Sequence, residues 1–310
     1  MNPIIDLHQD LMLYISQPEL YTDRGQTSFE KIQNNNIKVT VVSAFVVPAD
    51  GNYTSECMND LIEKTLKDYV MYCDKNPSFR IIKNKDDLNT IMSTEGLYGL
   101  ILHIEGLNTF DEITGWDTLE RWYELGLRSI GPLWNINNPF GGGTLDPSLG
   151  LSELGKKLIT WCEQKGMLFD FAHMNEKTFW DASQVVSRPI FVSHGNAHAL
   201  CKNVRNYTDE QIKAIGESGG VIGVFFSKKF VSADKKPTID DVLKHVNHIV
   251  SLVGENAVAI GSDFGGITSG FAKDLESLDD LKNLITSLPN DIQSNISYKN
   301  ALRIIKAHLV

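Results

Sequence analysis

Short apolar, β-branched runs recur along the chain, and each leads into a stretch whose apolar residues repeat with a helical period. The runs predict strands at Pro3–Leu7, Ile37–Val47, Tyr98–Ile104, Leu127–Leu133, Met167–Ala172, Pro189–Ser193, Gly220–Phe225 and Ala257–Gly261. VTVVSAFVV, VIGVFF and AVAIG are almost continuously apolar, as parallel strands covered on both faces should be. Amphipathic stretches at Leu151–Lys165, Thr208–Glu217 and Thr238–Val253 predict helices, two of them opening on a threonine suited to cap the first turn. This alternation predicts an α/β fold, a single (β/α)8 TIM-type barrel domain over residues 1–310 with closing C-terminal helices after Gly265. No linker, charge block or repeat divides the chain. The longest irregular stretch, Asn135–Gly150, reads as a loop at the carboxyl end of the fourth predicted strand, the end where barrels build their sites.

Composition narrows the function classes. Hydrophobic residues at 42% and charged residues at 22% exclude a disordered or fibrous chain. With 39 acidic against 29 basic residues the net charge is -10, which repels phosphate backbones and argues against nucleic acid as a partner. No apolar run reaches the length of a membrane span, and MNPIIDLHQDLMLY lacks the features of a secretory signal, so a cytoplasmic setting is expected. Cys57, Cys73, Cys162 and Cys201 are widely spaced without a CxxC pair, which speaks against a zinc ribbon or a disulfide frame.

Candidate chemistry collects at the strand ends. In DLHQD, His8 and Asp10 alternate and so face one side of an extended chain, within reach of one metal ion. Alone, the pair reads as well as a buried, hydrogen-bonded histidine beside a capping aspartate. LHIEG ends the third predicted strand on Glu105, a carboxylate able to bridge two cations. LFDFAHM delivers His173, IFVSHGNAH delivers His194 and AIGSDFGG delivers Asp263. Five of the eight predicted strands thus finish on His, Asp or Glu around one barrel mouth, which points to a two-metal hydrolase rather than to scattered capping residues.

These motifs, with GLRSIGPLWNINNPFGGG, DFAHMNEKTFWDA and VRNYTDEQIKAIGESGGVIGV between them, resemble the membrane (renal) dipeptidase family, zinc-dependent peptidases of the amidohydrolase-like barrel group, over nearly the whole chain. The resemblance implies two Zn2+, one held by His8, Asp10 and Glu105 and the other by Glu105, His173 and His194, with a bridging hydroxide that attacks the peptide bond of a small dipeptide. It implies that Arg205, in VRN, holds the dipeptide's free carboxylate, and that Asp263 moves the proton. Trp134 and Asn135, opening the loop to Gly143, are expected to contact substrate. Family members often accept a D-residue at the C-terminal position, and homodimers are common among them.

Two departures bear on substrate range. Trp134 stands where renal members carry a histidine, and Gly265 replaces the second aspartate of the usual SDFDG. They motivate a rival reading as a hydrolase of N-acyl amino acids or other small amides; a non-catalytic binding barrel is a further alternative. His103, one layer deeper than Glu105, reads as a buried histidine bonded to a neighbour. His198 reads as lying near the site, His245 and His248 as packing and solvent-facing, and Cys201 as a packed thiol.

Overall fold

The computed structural model describes residues 2–12, 25–46, 55–234 and 236–310. Among them run β1 (Ile4–Gln9), β2 (Ile37–Phe45), β3 (Phe79–Ile81), β4 (Tyr98–Glu105), β5 (Leu127–Gly131), β6 (Leu168–Phe169), β7 (Phe191–Val192), β8 (Val221–Val224) and β9 (Val258–Ile260). Val47, the predicted end of the second strand, lies outside the described residues. Eight strands follow the spatial order β6-β5-β4-β2-β1-β9-β8-β7, all in parallel pairs. The outer edges meet where Asp170 bridges to Phe191 and the Phe171 N–H donates to the Phe191 carbonyl at 2.9 Å. The result is the expected TIM-type barrel.

β3 was not expected, because its three residues carry no apolar run. It pairs with Tyr98–Leu100 at the lower end of β4, and β5 takes over the same edge from Leu102 to Glu105. The predicted strands at 167–172 and 189–193 shorten to two residues each. Past them the Ala172 and Ser193 N–H groups donate to the Asp170 carboxylate instead of to strand carbonyls.

Helices form where the pattern placed them, at Glu153–Lys165, Asp209–Glu217 and Ile239–Val253. Ser152 and Thr208 accept from the third N–H beyond them, which satisfies one of the unpaired donors of a helix start. The C-terminal segment breaks at Pro289, giving helices Leu281–Ser287, Asn290–Ser294 and Asn300–His308, the last two joined by a π turn over Asn295–Lys299. Along β1, Ile5 and Leu7 share an apolar cluster with Ala301, Ile304 and Ile305 of the last helix. By alternation Asp6, His8 and Asp10 face the other way, into the barrel. Apolar packing outside thereby aims polar groups inside. Among the described residues no helix is long and apolar enough to cross a membrane.

Phe191 is fully buried at the closing seam and pairs with Val221 of β8. Phe191→Ala is expected to destabilise the fold by about 3–5 kcal/mol, read by denaturant unfolding. A loss near zero would show that the seam does not hold the barrel shut.

Candidate metal centre

Glu105 is the last residue of β4 and stands opposite Phe45 of β2 and Gly131 of β5. Gly106 follows in the left-handed region (φ 85°), which turns the chain away and leaves the carboxylate at the mouth. Three imidazole nitrogens surround Oε1: His173 Nε2 at 2.9 Å, His194 Nε2 at 3.6 Å and His8 Nε2 at 3.7 Å. His8 Nε2 is also 3.8 Å from Asp10 Oδ2 and 3.8 Å from Asp263 Oδ1. Six predicted residues from the ends of five strands are therefore in one place. Donor atoms group as His8–Asp10–Glu105, Glu105–His173–His194 and His8–His194–Asp263, each set within 4.8 Å.

Hydrogen bonds behind the ring fix which imidazole nitrogen faces inward. Asn135 Oδ1 lies 2.9 Å from His173 Nδ1, and Ser193 Oγ lies 2.8 Å from His194 Nδ1. The Asn135 oxygen requires the proton on His173 Nδ1, the Ser193 hydroxyl can accept one from His194 Nδ1, and with both there the Nε2 lone pairs face one another 3.1 Å apart. His173 (φ 65°) and Asp263 (φ 62°) sit in the left-handed region, an unfavourable conformation for a residue with a Cβ. Such strain persists only where surrounding structure enforces it.

The electrostatics suit cations. Burial pushes the Asp10 carboxyl up to about 7. Burial, and then the charge of Asp10, raise Glu105 and Asp263 well above the carboxylate range, while Arg205 pulls both down. Burial likewise drives His8, His173 and His194 well below the usual imidazole value. Among the described residues, both ring nitrogens of His8 and Oδ1 of Asp10 are buried without a hydrogen-bond partner. Neutral imidazoles with free lone pairs beside crowded carboxylates are the donor set that divalent ions bind. Nitrogen and oxygen donors without thiolate fit zinc.

The ring opens into a cavity of about 140 Å³ also lined by Phe45, Trp134, Asn135, Arg205, Phe225 and Phe230. Arg205 is buried, and among the described residues its Nη2 has no hydrogen-bond partner. Phe45 and Trp134 meet at 5.2 Å between ring centres on one side, and Phe225 and Phe230 stack at 4.9 Å on the other. The three phenylalanines were not anticipated, since an aromatic residue at a strand end, or in the short helix Lys228–Val231 for Phe230, carries no motif. Asn135 lines the cavity, and its Oδ1 is engaged by His173 and by the Thr144 hydroxyl. His198 lines an adjoining cavity of about 250 Å³ that shares Arg205 as a wall. His103 bonds Ser129 Oγ at 2.8 Å, Cys201 donates to the Lys229 carbonyl, and His248 reaches Asp209 at 2.7 Å. His245, expected only to pack, accepts from the Ala197 N–H and so braces the loop after β7.

A family model described as membrane dipeptidase (peptidase family M19) matches residues 1–309. A protein from the pqqA 5′ region of Klebsiella pneumoniae is 39% identical over 223 residues, 67% of this chain and 81% of that one. A Schizosaccharomyces pombe protein described as an uncharacterised dipeptidase, C965.12, is 28% identical over 98% of this chain and 80% of its own. Among solved structures, a Rhodobacter sphaeroides metallopeptidase liganded with a phosphinate mimic of L-Ala-D-Ala superposes with a TM-score of 0.88 at 22% identity, covering 99% of both chains. A Pseudomonas aeruginosa probable dipeptidase, PvdM, gives 0.85 at 17% identity over 99% of this chain and 95% of its own.

Gly265 has a local cause. Its φ is 98°, and a Cβ there would run into the Asp10 carbonyl, while one at Gly266 would run into Asp10 Oδ2. Two glycines let the chain after β9 close on Asp10. Gly265→Ala is expected to cost about 1–3 kcal/mol, read as a lowered Tm of the metal-free protein; an unchanged Tm would refute this account of the glycine.

Proposed function

The chain belongs to the membrane dipeptidase family, peptidase family M19, and from that membership and the site geometry we propose a binuclear zinc dipeptidase acting on small dipeptides. The observation that carries the proposal is the position of Glu105 Oε1, within 3.7 Å of three imidazole nitrogens from three strand ends. His8, Asp10 and Glu105 would hold one ion, and Glu105, His173 and His194 the second. Such a pair activates water at neutral pH and polarises the carbonyl under attack.

The protein's own groups supply the rest. Asp263, whose Oδ1 lies 3.8 Å from His8 Nε2, would take the proton of the attacking water and return it to the leaving nitrogen. Arg205, whose Nη2 is unpaired in the same cavity, is suited to a bidentate contact with the C-terminal carboxylate. Phe45 and Trp134 offer an apolar wall to a substrate side chain, and the indole N–H offers a donor. A 140 Å³ cavity favours short substrates. We include dipeptides with a C-terminal D-residue in the proposed range, as the ligand of the Rhodobacter sphaeroides protein suggests.

The aromatic wall favours one second reading, hydrolysis of N-acyl amino acids, in which the acyl chain would lie against Phe45 and Trp134. A panel of free dipeptides and N-acyl amino acids separates the two. Cleavage of the dipeptides, abolished by chelation and restored by zinc, is expected. Cleavage of the N-acyl compounds alone would replace the dipeptidase reading. Arg205→Met is expected to raise KM for dipeptides by about 10–100-fold, the worth of a charge-assisted hydrogen bond, and to leave dipeptide amides unaffected. An equal loss on the amides would remove Arg205 from carboxylate recognition.

A further inference from the structure

We propose that Asp6 and Asp170 are paired positioning residues, each fixing one half of the metal centre through a single carboxylate oxygen shared between two strand ends. Asp6 Oδ1 accepts from the His8 N–H at 3.4 Å on its own strand and from the Ser262 N–H at 2.9 Å just beyond β9. Asp170 Oδ1 accepts from the Ala172 N–H at 3.0 Å and from the Ser193 N–H at 2.9 Å just beyond β7. The two arrangements match. In each, one donor is a metal-centre residue or its neighbour, His8 in one case and Ala172 before His173 in the other. The other donor is the serine immediately before a metal-centre residue, Ser262 before Asp263 and Ser193 before His194.

These clamps stand where the ladder is thinnest. β1 and β9 share one ladder pair, Asp6 with Ile260, and are next joined only beyond β9, where Asp263 N–H donates to the His8 carbonyl and Gln9 bridges to Phe264. β6 and β7 are joined by the single bridge from Asp170 to Phe191. By contrast β4, which carries Glu105, pairs with β2 over seven residues and has no need of such a brace. The restraint is also needed, because His173 and Asp263 hold left-handed backbone conformations that relax unless enforced. Both carboxylates are fully buried, and burial pushes each up to about 6. Asp6 has Oδ2 satisfied by Gln9 Nε2 at 2.7 Å and the Ser262 hydroxyl. Among the described residues Asp170 Oδ2 has no hydrogen-bond partner and lies 3.8 Å from His103 Nε2, so the carboxylate's hydrogen bonds there run through Oδ1.

The inference rests on the two-ion reading of the site, and its test uses no peptide. Zinc is titrated into metal-free protein against a competing chelator. Asp170→Ala is expected to weaken one of two ions by about 10–100-fold, the usual effect of removing a group that orients ligands. Added to His194→Ala it should leave one tight ion, whereas added to His8→Ala it should leave none. Asp6→Ala should show the reverse pairing. Asp170→Asn keeps the shared oxygen and should keep both ions, whereas Asp6→Asn would turn an amide donor toward Gln9 Nε2 and is not used as a control. Alanine variants that bind both ions normally, or an Asp170→Asn variant as impaired as Asp170→Ala, would overturn the proposal.

Hydrogen exchange on the unaltered protein tests it without relying on any variant's fold. With metal removed, the Ser193 and Ser262 amides should stay protected. Exchange as fast as in exposed loops would mean that the ions, not the carboxylates, hold these strand ends. If the unaltered chain bound a single ion, the two-ion reading would fall, and the exchange result would still decide whether the clamps exist.

Discussion

The structure turns on the burial of like charge. Asp10, Glu105 and Asp263 meet in the barrel mouth, all nearly inaccessible to water, with one buried guanidinium nearby. Burying an unpaired carboxylate costs several kcal/mol even after relaxation, and three together repel one another besides. The neutral imidazoles of His8, His173 and His194 bring lone pairs but no charge to offset this. Divalent cations would resolve the conflict, and on the proposed reading two of them meet at an oxygen close to three imidazoles.

The fold supplies this arrangement through apolar packing on the outside of the strands. Ile5 and Leu7 are held against the last helix, so the intervening Asp6, His8 and Asp10 have only the barrel interior to face. The left-handed backbone at His173 and Asp263 is tolerated because neighbours hold it: Thr144 N–H donates to the His173 carbonyl, and Asp263 N–H to the His8 carbonyl. Gly265 and Gly266 let the loop after β9 approach Asp10 closely. Around the cavity Arg205 provides charge and four aromatic rings provide shape, the groups to which the proposed function assigns specificity.

What the sequence revealed divides along physical lines. β2, β4 and β8 were legible because long β-branched runs buried on both faces leave a continuous signature. The helices at Glu153–Lys165 and Asp209–Glu217 were legible because their caps are written in single residues, Ser152 and Thr208. His8, Asp10, Glu105, His173, His194 and Asp263 could be placed together because barrel topology carries strand ends to one mouth. β3 was missed because three residues on a strand edge need no apolar pattern. The two-residue lengths of β6 and β7 were hidden because side-chain acceptors replace ladder partners there, which depends on cross-strand register. For the same reason Asp6 and Asp170, plain within DLHQD and LFDFAH, did not announce a role. Phe45, Phe225 and Phe230 were silent because an aromatic residue facing a cavity has the same local pattern as one facing the core.

The central claim is that Glu105 is shared by two ions, and anomalous diffraction at the zinc absorption edge from crystals grown with zinc tests it most directly. The account predicts two anomalous peaks about 3.5–4 Å apart, one toward His8 and Asp10 and one toward His173 and His194, with Glu105 touching both. A single peak, or two peaks neither of which contacts Glu105, would contradict it.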